Sequence, residues 1–186
     1  MPPTLQPKKT LLDSKQIRRV VRRIAGEIVE KNGGTEGLML VGIRTRGVPF
    51  AERIAAEIET MEGVTVPVGT LDITLYRDDL STIAPQPVVG ETRFGVPIDD
   101  RVIVLCDDVL YTGRTIRAAL DALIDYGRPR AVRLAVVVDR GHRELPIQAD
   151  FFGKDVPTAA DEHVEVRFEE TDGATDVRLM TREEEA

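Results

Sequence analysis

Disulfides and metal cages are what this sequence most plainly lacks. Its one cysteine, Cys106, sits in an apolar run with no partner in the chain, and its two histidines, His142 and His163, stand far apart. Neither a bridge nor a zinc spacing is available. Long hydrophobic runs are missing too: none approaches the roughly 18 residues a membrane span needs, and the opening MPPTLQPKKTLLD has no apolar core of the signal-peptide kind. A cytoplasmic protein with no membrane partner is expected. Neither GxxxxGK[ST] nor GxGxxG occurs, which sets aside P-loop ATPases and dinucleotide-binding oxidoreductases. Internal repeats and linkers are absent as well.

The chain has 186 residues, 42% of them hydrophobic and 31% charged, enough apolar mass for one domain over residues 1–186 with a single core. A net charge of −7 argues against indiscriminate nucleic-acid binding but leaves room for a local basic face. Asp13 and Ser14 are helix-capping types, Gln16 completes a capping box, and Ile17, Val20, Val21, Ile24 and Ile28 recur at helical spacing up to Asn32, where Gly33 and Gly34 end the pattern. Leu38–Ile43 reads as a buried strand and Val48–Met61 as the helix after it. Val64–Leu75 has strand character. From about 76 to 100 the chain is rich in Asp, Pro and Gly and reads as a long loop. Arg101–Cys106 is a second apolar strand, Thr115–Tyr126 a helix capped at Gly127, and Ala131–Val138 a third strand.

Continuous Val/Ile/Leu strands alternating with amphipathic helices predict an α/β fold, a mostly parallel sheet with helices on both faces and ligand sites at the carboxyl ends of its strands. Beyond Pro146 the elements are shorter, with strand candidates at Val164–Phe168 and Val177–Met180. The end, about 181–186, is expected to fray.

One stretch does not end as strands ordinarily do. In VIVLCDDVLYTGRT, an apolar run meets two adjacent carboxylates, Asp107 and Asp108, and then turns through Thr112, Gly113, Arg114 and Thr115 into a helix. A DD pair in a loop is more often solvated than functional. Here it precedes a helix start, where backbone N–H groups, the helix dipole and two threonine hydroxyls form a phosphate cradle and the glycine permits close backbone approach. Carboxylates beside such a cradle suit a ligand with an anion and vicinal hydroxyls: they accept from the 2- and 3-hydroxyls of a ribose whose 5-phosphate the turn holds.

That combination resembles the phosphoribosyl pyrophosphate signature of the type I phosphoribosyltransferases. VGIRTRGVPFAERIA, LDITLYRDDL, CDDVLYTGRTIRAALDAL and VDRGHRELPIQADFFGKDVPT together resemble the PyrR family of pyrimidine operon attenuation regulators that are also uracil phosphoribosyltransferases, from about Leu12 to about Phe168. Cys106 stands where an aliphatic residue is commoner, and the acidic end after Asp172 carries no family signature.

The resemblance implies the type I phosphoribosyltransferase fold with a small hood, formed mainly after residue 146. It implies that Asp107 and Asp108 stabilise positive charge at C1 as pyrophosphate leaves, that Thr45, Arg46 and Gly47 form the pyrophosphate loop, and that Val109, Leu110, Tyr111, Thr112, Gly113, Arg114 and Thr115 hold the 5-phosphate. Mg²⁺ is the expected cofactor, held mainly by substrate oxygens with Asp107 and Asp108 as protein ligands to it. Tyr76, Arg77 and Asp78 open the long loop, expected to be a lid. Asp139, Arg140 and the backbone near Phe152 and Val156 are assigned to uracil, although Phe151 and Phe152 serve equally well as ordinary core.

Opposite the apolar arc of the first helix lie Arg18, Arg19, Arg22 and Arg23. Charge pattern favours a solvated face; the resemblance favours binding of pyrimidine-operon mRNA, with His142 and Arg143 adding to a basic surface on a homodimer or higher homo-oligomer. The reading is a UMP-responsive regulator that also makes UMP and pyrophosphate from uracil and phosphoribosyl pyrophosphate. A salvage-only transferase and a regulator using the site as a nucleotide sensor are its rivals.

Overall fold

The computed structural model describes residues 4–79 and 88–182. Of the expected lid, residues 80–87 lie outside the described residues, as do residues 183–186 of the tail. In chain order the elements are β1 (Leu5–Leu12), α1 (Ser14–Asn32), β2 (Leu38–Ile43), α2 (Gly47–Glu62), β3 (Val68–Leu71), a 3-10 turn (Thr74–Tyr76), β4 (Val102–Leu110), α3 (Arg114–Ile124), β5 (Ala131–Asp139), β6 (Phe151–Asp155), β7 (His163–Arg167), the short α4 (Glu169–Asp172) and β8 (Asp176–Arg182).

β3, β2, β4, β5 and β6 form a five-stranded sheet in that order, every pair parallel. The strand order reverses between β2 and β4, and the crevice at such a switch point is where an open α/β sheet binds ligands. The two faces sort the strand residues by parity. Val102, Val104 and Cys106 pack with Ile17, Ile24 and Ile28 of α1 and Phe50, Ile54 and Ile58 of α2. Ile103 and Leu105 pack against Ile116, Ala119 and Leu123 of α3. The inner strands β2, β4 and β5 are covered on both faces, which is why they read as continuous apolar runs. Asp13 caps α1 as its sequence predicts, accepting from the Gln16 N–H (2.8 Å) while the Gln16 side chain accepts from the Asp13 N–H (2.9 Å).

A second sheet, in the order β1-β8-β7, is antiparallel and makes the hood. Here the sequence expectation needs correcting in three ways. The hood takes its first strand from Leu5–Leu12, an exposed, proline-containing segment with no apolar periodicity, which sits at the sheet edge where proline is tolerated. Conversely Phe151–Asp155, although beyond residue 146, is the edge strand of the main sheet. Thr181 and Arg182 do not fray; they pair with Gln6 and Leu5. The strand character of Val64–Leu75 shrinks to Val68–Leu71.

Candidate active site

The two aspartates are not in a turn. β4 continues through both of them to Leu110, which lengthens the expected strand by four residues beyond Cys106. Face alternation is interrupted there: Cys106 and Val109 both belong to the α1/α2 side, three residues apart, whereas strict alternation would put them on opposite faces. Local side-chain bonds accompany the interruption. The Asp108 N–H donates to Asp107 Oδ1 and the Val109 N–H to Asp108 Oδ1, each at 2.9 Å. Asp107 is only 7% exposed. Burial, and then the adjacent Asp108 carboxylate, push its pKa well above the ordinary range. Burial also raises the Cys106 thiol, which makes it a poor nucleophile.

Next to the carboxylates lies the loop after β2. The Arg44–Thr45 peptide is cis, and Gly47 opens α2 against the β4 backbone, where a Cβ would stand 2.2 Å from the Cys106 carbonyl oxygen and 3.3 Å from Asp107 Cα. The sequence brings Thr45, Arg46 and Gly47 to the aspartates because glycine alone lets these backbones touch. Arg46, however, is not free. Its Nε and Nη2 donate to Asp172 of the hood at 3.1 and 2.8 Å, a partner in the acidic segment to which the sequence assigned nothing.

After Leu110 the chain turns through Tyr111–Gly113 into α3. Gly113, the N-cap of α3, has φ +93° and no side chain with which to cap the helix; of the first-turn N–H groups, that of Arg114 donates to the Thr112 hydroxyl at 3.3 Å. A Cβ at this glycine would meet Leu145 and Ile147 at 3.3–3.4 Å, and its positive φ is one that side chains rarely adopt. A cavity of about 270 Å³ opens here between the turn and the start of the long loop, lined by Arg77, Asp78 and Asp79 on one side and residues 109–116 on the other. Arg114 bridges the two walls, donating to Asp78 and to Glu144, each at 2.7 Å. Arg77 pairs with Asp79 (2.8 and 2.9 Å), and the Tyr76 hydroxyl donates to Asp125.

The third strand end carries a brace. Asp139 accepts two bonds from Arg143 (2.7 and 2.9 Å) and one from the Gly141 N–H (3.0 Å), and Arg143 also donates to the Tyr111 carbonyl at 2.7 Å. Arg140, 4% exposed, lies over the Tyr111 ring at 4.0 Å and donates to the Glu162 carbonyl and Thr158 hydroxyl. The Val156 N–H meets the Asp139 carbonyl at 2.8 Å, so Val156, Asp139 and Arg140 share the carboxyl edge. Phe152 does not join them: it pairs with Val136, three residues below that edge, and the residue is 43% exposed. Its carbonyl accepts from Arg23.

The arginine face is as exposed as the helical spacing predicts at Arg18, Arg19 and Arg22. Arg23 is exposed but engaged, with Glu27 (2.8 Å) and the carbonyls of Phe152 and Gly153 (3.1 and 2.8 Å). Arg143 is engaged as well, with Asp139 and the Tyr111 carbonyl. The His142 ring is exposed, its Nε2 at 2.6 Å from the Thr158 carbonyl oxygen.

Comparison with known proteins gives this geometry its relatives. Residues 7–170 match the phosphoribosyl transferase domain. A protein of Thermus thermophilus named Bifunctional protein PyrR is 62% identical over 176 residues, 95% of this chain and 97% of that one. Its namesake in Deinococcus radiodurans is 58% identical over 178 residues, 96% and 97% of the two chains. Among solved structures, a hypoxanthine phosphoribosyltransferase from Staphylococcus aureus superposes with TM-score 0.69 at 18% identity, covering 96% of this chain and 94% of its own, a likeness of fold alone.

Proposed function

The chain belongs to the phosphoribosyl transferase family, in the group of the bifunctional PyrR proteins, and from that membership we infer that it transfers phosphoribosyl from phosphoribosyl pyrophosphate to uracil and regulates pyrimidine-operon mRNA in response to UMP. The observation that carries the catalytic half is the meeting of Asp107 and Asp108 with the Gly47 loop on one side and the start of α3 on the other.

Thr112, Thr115 and the first-turn N–H groups of α3 bind the 5-phosphate, a site electrostatically suited to an anion. Asp107 and Asp108 accept from the ribose hydroxyls. Thr45, Arg46 and Gly47 hold pyrophosphate. As the C1–oxygen bond to pyrophosphate breaks, its electron pair leaving with pyrophosphate, and uracil N1 bonds to C1 and gives up its proton, positive charge develops transiently on the ribose. A buried carboxylate that is destabilised by its acidic neighbour gains most when that charge appears, so its stabilisation is larger in the transition state than in the ground state. The base lies against the carboxyl edge near Arg140 and Val156, and Arg77 and Asp78 begin a lid that excludes water.

Mg²⁺ fits the donor set. No cluster of three or more metal-binding side chains occurs among the described residues, and Mg²⁺ takes few protein ligands, leaving one or two carboxylates and the substrate's oxygens to hold it. Asp107 and Asp108 would supply the protein share. When bound, the ion neutralises charge on the departing pyrophosphate.

The regulatory half rests on the exposed arginines of α1, with phosphates as their targets, presented on a homodimer or higher homo-oligomer. The proposed compartment is the cytoplasm, in keeping with one buried, unpaired cysteine. Two assays test the reading together: UMP formation from uracil, and a gel-shift titration of the pyrimidine leader RNA with and without UMP. Turnover without RNA retardation would leave a salvage enzyme; UMP-dependent retardation without turnover would leave a sensor.

A further inference from the structure

Arg46 at the N-cap of α2, Phe50 and Arg53 follow at spacings of four and three, so they share one face of the helix. All three meet the hood. Arg53 pairs with Glu170 at 2.8 and 2.9 Å and lies over the Phe168 ring at 4.9 Å, and Phe50 stacks on the same ring with centroids 6.3 Å apart. The Arg46–Asp172 pair differs from these packing contacts because Arg46 belongs to the pyrophosphate loop.

Asp172 is well fixed. Its side chain is 13% exposed, and besides the two bonds from Arg46 its Oδ2 accepts from the Phe168 N–H at 2.9 Å. A two-point pairing through Nε and Nη2 occupies one edge of the guanidinium, and among the described residues the Nη1 side has no hydrogen-bond partner. The Asp108 carboxylate also acts electrostatically on Arg46, so the guanidinium lies within reach of the site's charge as well as the hood's.

Resting on the transferase reading above, we propose that Asp172 is a positioning residue for pyrophosphate transfer: it orients Arg46 so that the remaining donor edge faces the leaving group, and in doing so ties the hood to the pyrophosphate loop. Its effect is therefore felt by the pyrophosphate end of the reaction and not by the base. A carboxylate that merely competed with pyrophosphate for Arg46 would have the opposite effect on affinity.

The test measures binding of magnesium pyrophosphate by calorimetry and the KM for each substrate, in the parent, Asp172→Asn, Asp172→Glu, Arg46→Gln and the Arg46→Gln/Asp172→Asn double variant. Asp172→Asn should weaken pyrophosphate binding and raise the KM for phosphoribosyl pyrophosphate about tenfold, the size of one charge-assisted contact, with the KM for uracil moving by less than about twofold. Asp172→Glu, which retains the carboxylate, should recover part of the loss. In the Arg46→Gln background the second change should add nothing. Should Asp172→Asn fail to fold, Arg46→Lys keeps the charge without the two-point fork and carries the same expectation. Tighter or unchanged pyrophosphate binding, or an equal loss with Arg46 already removed, would overturn the proposal. An inactive parent would overturn the uracil reading instead, and the pyrophosphate titration would still decide the role of Asp172.

Discussion

Gly47 and Cys106 touch through their backbones: a Cβ on the glycine would sit 2.2 Å from the cysteine's carbonyl oxygen. No side-chain motion relieves that overlap, since both partners are main chain. Gly47→Ala must therefore shift the start of α2 away from β4, at an overpacking cost of about 1–3 kcal/mol. The melting temperature should fall by several degrees, and the KM for phosphoribosyl pyrophosphate should rise more than that for uracil. Steady-state kinetics on the folded variant check both.

Asp107 carries opposite demands from folding and catalysis. Its native pKa is raised, so the native state binds the proton more tightly than the unfolded chain. The stability it contributes is complete below the unfolded value of about 3.9 and is lost as pH rises through the native value. Asp107→Asn escapes that loss while keeping the Oδ1 acceptor for Asp108. The variant should melt higher than the parent at neutral pH, with the gap closing toward pH 4. Transfer should fall by on the order of 10²-fold or more. Equal melting temperatures across the range, or wild-type turnover, would contradict the assignment.

Hood carboxylates titrate with the other sign. Arg46, Arg53 and Arg167 hold Asp172, Glu170 and Asp176 below their ordinary values. The stability from these pairs is present above the unfolded values near 4 and lost as pH falls through the lowered native ones. Amide protection, taken relative to the intrinsic exchange rate at each pH, should fall in β7 and β8 on acidification before it does in β4 and β5. A uniform fall across both sheets would argue against a separately held hood.

The arginine face tests RNA binding apart from chemistry. Arg18, Arg19 and Arg22 changed together to Gln should weaken leader-RNA binding and flatten its log–log salt dependence by roughly two to three units, taking the DNA counterion slope as guide. Arg23→Gln should change that slope little, because its charge is already engaged by Glu27 and the β6 carbonyls. UMP synthesis should survive in the triple variant. RNA binding unaltered at every salt concentration would make α1 a solvated face.

Much of the fold was legible because burial on two faces writes itself into a strand as an unbroken apolar run; β2, β4 and β5 are of that kind. β1 and β6 were not, since backbone pairing holds them more than side-chain burial does: LQPKKTLL is mostly exposed, and FFGKD buries only Phe151. Of the candidate site, the part carried by one segment, DDVLYTGRT, could be placed from the sequence: it lies together at the carboxyl end of β4. Asp172 was unreadable, because EETD reads as a solvated acidic turn. The signal that would have found it is indirect: Arg46, Phe50 and Arg53 on one face of α2 need two acids and an aromatic, and FEETD supplies them.

The pairing of β1 with β8 also sets an order of events for the newborn chain. All five strands of the main sheet have been synthesised once Asp155 has emerged, but β1 must wait for β8 before its backbone can pair. That pairing joins opposite ends of the chain and is therefore highly non-local, the kind of contact that tends to form late. During synthesis the carboxylates of β4 can already sit on a finished sheet while Arg46 still lacks Asp172, so the strand ends of the main sheet come together first and the hood last.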